Sequence, residues 1–381
     1  MIGLLSQPET AILLTGVLLS AAAALPGNFL VLRGNALLTD AISHSVVFGI
    51  AVTWLATGLI AGPVQVLGAA AAGLLTVLAI EALSRSGVIR QDAAMGLVFP
   101  TLFAAGVLIL NLYARDIHLD IDTVLLGEIA FVWLDTTPVL GAEVPQALLT
   151  LAACAALNAA YVVLFWKQLK LATFDPDLAR LQGMRPGAVF SGLLALTATT
   201  AVAALDAVGA ILFVAFVIVP PATAFLLTRR LSVMVPLSVA LGVGAVFLGH
   251  RAAFALDVSI GGSMALTTAV LFIAALLAAP EQGMVATLRR RRDRQVMVAL
   301  RTLVSHLSAH ADGPRQSEEN TVSALEDHLR WSRPHAERVI LRGLDAGLIR
   351  REGGLLALSA TGQAMAREIA AALGPGSNRP G

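Results

Sequence analysis

The sequence is poor in charge, in lysine and in cysteine. Asp, Glu, Lys and Arg make up 13% of its 381 residues, about half the roughly 25% of soluble domains. Hydrophobic residues make up 57%, and mean hydropathy is +0.80. That balance excludes a soluble globular chain and points to a polytopic membrane protein. The single cysteine, Cys154 in the apolar run LAACAAL, excludes intramolecular disulfides and cysteine-based metal clusters. The only lysines, Lys167 and Lys170, follow Trp166 and Leu169. The Gly-Lys pair of a P-loop is therefore missing, and no nucleotide site of that type can exist. HExxH is missing as well, as is a GxSxG elbow in a soluble strand–helix setting. The chain is expected to do no covalent chemistry of its own and to bind no permanent cofactor.

The charge that is present is uneven. Of the 51 charged residues, 25 fall in residues 1–280 and 26 in the last 101. This marks a membrane body at 1–286, a basic linker at 287–294 (LRRRRDR begins at Leu288), a small domain at 295–373 and a disordered tail at 374–381. The expected class is an all-α membrane protein of eight or nine spans followed by a small cytoplasmic domain. Apolar runs place spans at 11–32, 36–58, 63–81, 92–113, 145–166, 188–206, 208–228, 232–255 and 263–280. The count falls to eight if the hairpin near Asp206 is re-entrant. Residues 114–144, with Asp116, His118, Asp120, Asp122, Glu128, Asp135 and Glu143, read as a long acidic loop with one short amphipathic piece. Arginine and lysine near span ends (Lys167, Lys170, Arg180, Arg185, Arg229, Arg230, Arg289–Arg292) orient the chain with an external N-terminus and a cytoplasmic C-terminus. The N-terminus MIGLLSQPET has no basic n-region, so the first apolar run reads as a span.

Residues 33–58 carry the most informative polar groups. Asp40 and His44 stand four apart in an apolar, helical run and project from one face. A carboxylate and an imidazole at this spacing can share a divalent cation. Ionisable groups inside a lipid-length segment are costly unless they line a polar path. Two readings stand open on these residues alone: an ion site, or a buried Asp–His hydrogen bond that holds two helices. Counted from Arg33, the pair would lie roughly 10 and 16 Å into the membrane. Two ligands are fewer than the four of a tight zinc site, so a passage site would be completed by water or a partner chain. A second polar cluster, His250 and Asp257, is seven residues apart and could share a helix face. Arg251 beside it favours a structural Arg251–Asp257 pair equally.

Three collinear stretches resemble the permease subunit of zinc/manganese/iron ABC importers, the ABC-3 family. LRGNALLTDAISHSVVFGIA is similar to the family's segment after its first span, with Asp40, Ser43 and His44 at its centre. FDPDLARLQGMRPGAV is similar to its cytoplasmic loop, and DAVGAILFVAFVIVPPATAFLLTRRL to its late hairpin ending in a basic pair. The resemblance covers about residues 10–280. It implies a divalent metal as cargo and a separate ATPase on the cytoplasmic face. It also implies an extracytoplasmic binding protein that delivers the ion, and a second permease, either a copy or a paralogue. In the loop, Asp175 suits an N-cap, Pro176 the first helical position and Gly183 the stop. The resemblance assigns Phe174, Asp175, Pro176, Leu178, Arg180 and Gly183 to the coupling helix that docks on the ATPase.

The tail shows helical periodicity at residues 296, 300, 303, 304 and 307, then two more helical runs, a Gly353-Gly354 turn and a last helix. GLIRREGGLLALSATGQAMA resembles the wing of bacterial winged-helix regulators, including the metal-dependent repressors. Arg333, His335, Arg338, Arg342, Arg350 and Arg351 could meet phosphate. Glu326, Asp327, Glu337, Asp345 and Glu352 interleave with them, so docking on protein is favoured over DNA. His306, His310, His328 and His335 are either metal-sensing or solvated. The function expected is import of manganese, zinc or iron through a permease in the bacterial cytoplasmic membrane. The alternatives are a membrane-tethered winged-helix regulator and a permease for a metal chelate.

Overall fold

Long apolar runs bounded by Pro, Gly and Arg become helices because a helix satisfies its own backbone where no water can. The computed structural model describes residues 7–59, 63–113, 129–139, 142–280, 282–311 and 320–373. The chain divides into two units, Met1–Gly283 and Met284–Gly381.

The first unit opens with α1 (Pro8–Leu32), α2 (Leu37–Thr57), α3 (Pro63–Arg85) and α4 (Gln91–Tyr113). A 3-10 turn at Ile129–Phe131 and an antiparallel hairpin, β1 (Thr136–Val139) with β2 (Ala142–Pro145), stand in the stretch expected as a long loop. The cluster Asp116, His118, Asp120, Asp122 and Glu128 lies outside the described residues, as does the tail 374–381. Next come α5 (Gln146–Leu164), α6 (Trp166–Phe174) and α7 (Pro176–Leu181). The unit closes with α8 (Pro186–Leu227), α9 (Leu231–Leu256) and α10 (Ile260–Ala278). Among the described residues, nine stretches are long and apolar enough to cross a membrane: α1 to α5, the two halves of α8, α9 and α10.

The helix α8 is two spans joined at Gly209, whose φ 78 and ψ 167 break the helix in a region that glycine alone enters readily. Leu193 and Ala224 both lie in the buried cluster around Phe29. In one straight helix they would stand about 46 Å apart, so the chain doubles back near Gly209. This is the hairpin expected between 188–206 and 208–228.

Burial sets centre and rim. In α1, 61% of the most apolar window is buried, against 17% in α4 and α10; α1 is the centre, packed on α5, α8 and α9. Polar side chains bind it to its neighbours. Asn28 donates to Ser238 Oγ of α9 at 2.8 Å. Asn158 of α5 donates to the Ala22 carbonyl at 2.8 Å and to Thr200 Oγ1 of α8 at 2.9 Å. Such bonds and small residues hold helices together in lipid. A Cβ at Gly27 would strike the Val217 carbonyl of α8, which Pro221 cannot bond because it has no N–H. A Cβ at Gly49 of α2 would strike the Gly68 carbonyl of α3, and one at Gly106 of α4 would come within 2.8 Å of the Phe48 backbone.

The second unit contains α11 (Met284–Ala309), α12 (Val322–His328), α13 (Arg333–Asp345), β3 (Ile349–Glu352), β4 (Leu355–Leu358) and α14 (Ala360–Leu373). Leu300, Leu303, Val304 and Leu307 of α11 pack with Leu325, Val339, Ile340, Leu356 and Leu358 in its own core. Strands β3 and β4 pair antiparallel, Ile349 opposite Leu358 and Glu352 opposite Leu355. Gly353 (φ 60) and Gly354 (φ 98) make the turn. The run 287–294 is not the linker that its charge suggested: it is helical within α11. Arginine is a good helix former, and no Gly or Pro interrupts the run.

Gly49→Val should force α2 from α3 at a cost of about 1–3 kcal/mol. It is expected to lower the melting midpoint of the detergent-solubilised chain. Gly96→Ala, at a glycine facing open space, should leave the midpoint unchanged in the same thermal-shift measurement.

Candidate functional site

Arg33 to Ala36 form a turn, so α2 begins only at Leu37 and Asp40 sits in its first turn. The helix dipole favours a carboxylate there. Asp40 is thus nearer the helix end than a count from Arg33 gives, and His44 lies about 10 Å along the helix. His44 Nε2 stands 3.5 Å from Asp40 Oδ1, with side chains 31% and 42% exposed. The pair is therefore not a sealed interhelical clasp: both partners are on α2 and open on one side. Metal bonds of about 2.0–2.2 Å can span such a gap, so one ion could touch both without backbone movement.

Two aromatic rings of α4 hold the imidazole. Phe99 stacks on His44 with centroids 5.8 Å apart, and Phe103 meets it edge-on at 5.9 Å. Sequence reasoning missed both. Their four-residue spacing was visible, but nothing in it said that this face of α4 meets α2. The N-terminus of α4 is tied to the entry of α2 where Gln91 donates to Asn35 Oδ1 at 2.9 Å. Ser43 and Ser45 are not brought into the pair. Their hydroxyls donate back to the Thr39 and Ile42 carbonyls at 3.0 and 2.9 Å.

His250 and Asp257 do not converge. His250 is buried in α9 with its ring 4.7 Å from Phe254. Asp257 is exposed and caps α9 in the left-handed region, φ 53. That turn ends the helical register on which a shared face depended. Among the described residues no ion pair joins Arg251 to Asp257, and no group of three or more His, Cys, Asp or Glu could hold a metal ion.

The loop segment is a capped helix. Asp175 Oδ1 accepts from the Leu178 N–H at 2.9 Å, Pro176 opens α7, and Arg180 pairs with Asp177 at 2.6 Å. Gly183, at φ 77, ends the segment. Met184 N–H donates to the Ala179 carbonyl and Gly183 N–H to the Arg180 carbonyl, both at 3.0 Å, the pairing of a glycine-terminated helix. Phe174 at the end of α6 and Leu178 and Leu181 of α7 are 60%, 40% and 85% exposed, so the segment presents uncovered apolar side chains. Leu181 was not among the residues singled out in the sequence.

The family model described as the ABC 3 transport family matches residues 9–279, which spans α1 to α10. The chain belongs to the ABC 3 transport family. It is 38% identical over 356 residues to the zinc transport system membrane protein TroD of Treponema pallidum (strain Nichols), covering 93% of this chain and 97% of that one. It is 42% identical over 291 residues to the manganese transport system membrane protein MntD of Bacillus subtilis (strain 168), covering 75% and 98%. Among solved structures, PsaBC from Streptococcus pneumoniae in complex with Fab superposes with a TM-score of 0.60 at 30% identity, over 71% of this chain and 91% of that one. As an ABC 3 family member with nine membrane-length helices among its described residues, the chain is a multi-pass membrane transport subunit.

The family match stops before the second unit. There two of the arginines considered for phosphate pair locally: Arg333 with Glu337 at 3.4 Å and Arg350 with Glu352 at 2.8 Å. Arg338 Nε donates to the Pro334 carbonyl at 3.0 Å, and the His335 ring packs edge-on against Trp331. The relatives lend no support to a DNA-binding role, and Arg333, Arg338 and Arg350 are each engaged within their own helix or hairpin.

Asp175→Ala removes the cap of α7 and should cost about 1 kcal/mol. Hydrogen exchange at the amides of 178–180 is expected to quicken about fivefold, while the rest of the family fold keeps its protection.

Proposed function

We propose that this chain is the permease of an ATP-binding cassette importer for a divalent transition metal ion (zinc, manganese or iron) and that Asp40 and His44 line the ion's path. The observation that carries the reading is the half-open Asp40–His44 pair at 3.5 Å, in a family whose relatives include a zinc and a manganese transport protein. Carboxylate plus imidazole suits all three ions. Two protein donors hold an ion weakly enough to release it, and water or a second permease supplies the others. The cargo is substrate; no resident cofactor is needed.

The uncovered apolar residues of α7 fit a docking helix for a separate ATPase, with Asp175 and Gly183 fixing its length and Arg180 its polar edge. An extracytoplasmic binding protein would deliver the ion from the opposite side. By the positive-inside bias of the arginine-rich ends, α7 and the second unit would face the cytoplasm, with the membrane unit in a bacterial inner membrane. The second unit reads as a winged helix from its order of three helices, hairpin and helix. It would serve contacts with protein rather than DNA.

The test is uptake by vesicles reconstituted with this chain, its ATPase and its binding protein, offered zinc, manganese and iron in turn. One ion should accumulate when ATP is present. Asp40→Ala and His44→Ala should each reduce that uptake to the level of protein-free vesicles while the chain still inserts. Wild-type uptake in both variants would make the pair structural.

Gly183→Val places a β-branched residue in the left-handed region, a strain of about 1–3 kcal/mol. It should leave ATP hydrolysis running while ion uptake falls. Normal uptake per ATP in this variant would remove α7 from the coupling path.

A further inference from the structure

We propose that the first half of α11, residues 284–298, is a surface-binding helix that lies on the membrane and takes the phosphate headgroups of anionic phospholipids. No residue from 284 to 298 is buried, whereas Ala299, Leu300, Leu303, Val304 and Leu307 of the second half enter the core of their unit. Helices owe most of their stability to the burial of an amphipathic face. The first half of α11 finds no such burial among the described residues.

Its own side chains say what would cover it. Met284, Leu288, Arg291, Gln295 and Val298 follow at spacings of four, three, four and three, which stacks them along one side of a helix. That side is turned roughly 150° from the one that carries Leu300, Leu303, Val304 and Leu307. Met284, Leu288 and Val298 are each more than half exposed. Arg291 lies within the stripe, and the exposed Arg292 and Arg294 stand on its two flanks, each roughly 80° round the helix. Asp293, the sole acid of α11, falls on the opposite side.

The chain brings this face to lipid. The last membrane-length helix ends at Ala278 and α11 begins at Met284, a tether of at most roughly 20 Å. Guanidinium groups match phosphate with paired N–H donors, and their stems lie along apolar surface. The methionine, leucine and valine side chains reach the acyl boundary, as in other interfacial helices. A polyanion in solution would satisfy the arginines but leave the apolar stripe in water; an anionic lipid surface takes both. The proposal does not rest on the import reading, since adsorption is measurable without transport.

The test compares the full chain in nanodiscs of phosphatidylcholine alone and of phosphatidylcholine mixed with phosphatidylglycerol, by hydrogen exchange. Amides of 285–298 should exchange about tenfold more slowly in the anionic discs. Salt at about 1 M, where charges are screened within about 3 Å, should remove most of that difference. Arg291→Glu combined with Arg294→Glu should abolish it, while amides of 303–307 in the buried half keep their protection. Arg338→Glu, outside α11, should change nothing. A fluorophore on Val298→Cys, in a Cys154→Ala background, should be quenched by spin-labelled lipid in the anionic discs only. Equal exchange in the two kinds of disc, slowing that survives the double charge reversal, or a fluorophore that lipid never quenches would overturn the proposal.

Discussion

Helices surrounded by lipid gain nothing from hiding apolar side chains, so their association depends on how closely backbones approach and on the few polar groups that bond across. That constraint organises the membrane unit. Gly27 lets α1 reach the Val217 carbonyl, Gly49 lets α2 reach α3, and Gly106 lets α4 reach α2. Asn28 and Asn158 then fasten α1 to its surroundings with hydrogen bonds to α9 and α5. Bulky residues are left for the rim, where Leu108, Leu157, Val163 and Leu164 are more than half exposed and suited to lipid.

The polar pair on α2 follows from the same packing. α2 is gripped on one side by α3 and on another by α4, so Asp40 and His44 are held on a fixed helix face rather than on a loop. Phe99 and Phe103 restrict the imidazole without offering it a hydrogen bond, leaving the pair as the polar feature of an apolar wall. On the proposed import reading, an ion passing such a wall would meet two donors, enough to be recognised and too few to be trapped.

The second unit works by different chemistry. Its helices bury a stripe of leucine and valine against a two-stranded hairpin, and two of its arginines, Arg333 and Arg350, pair with a glutamate within one turn or one hairpin. Exposed ion pairs of this kind add little stability.

Much was legible in the sequence because it depends on local chemistry. Hydropathy over about 20 residues gave the spans, and Asp175, Pro176 and Gly183 marked both ends of α7. The four-residue spacing of Asp40 and His44 put them on one face, and the Gly353-Gly354 pair marked a tight hairpin. Other features depend on which faces meet, and a single sequence does not encode that in any short stretch. Phe99 and Phe103 became neighbours of His44 only through the packing of α4 on α2. His250 and Asp257 parted because a left-handed residue ends α9, and the arginine run at 289–294 proved continuous with a helix because charge alone does not break one. Periodicity and capping determined the elements. Tertiary packing alone decided which side chains share a site, because residues far apart in sequence become neighbours only when helices touch.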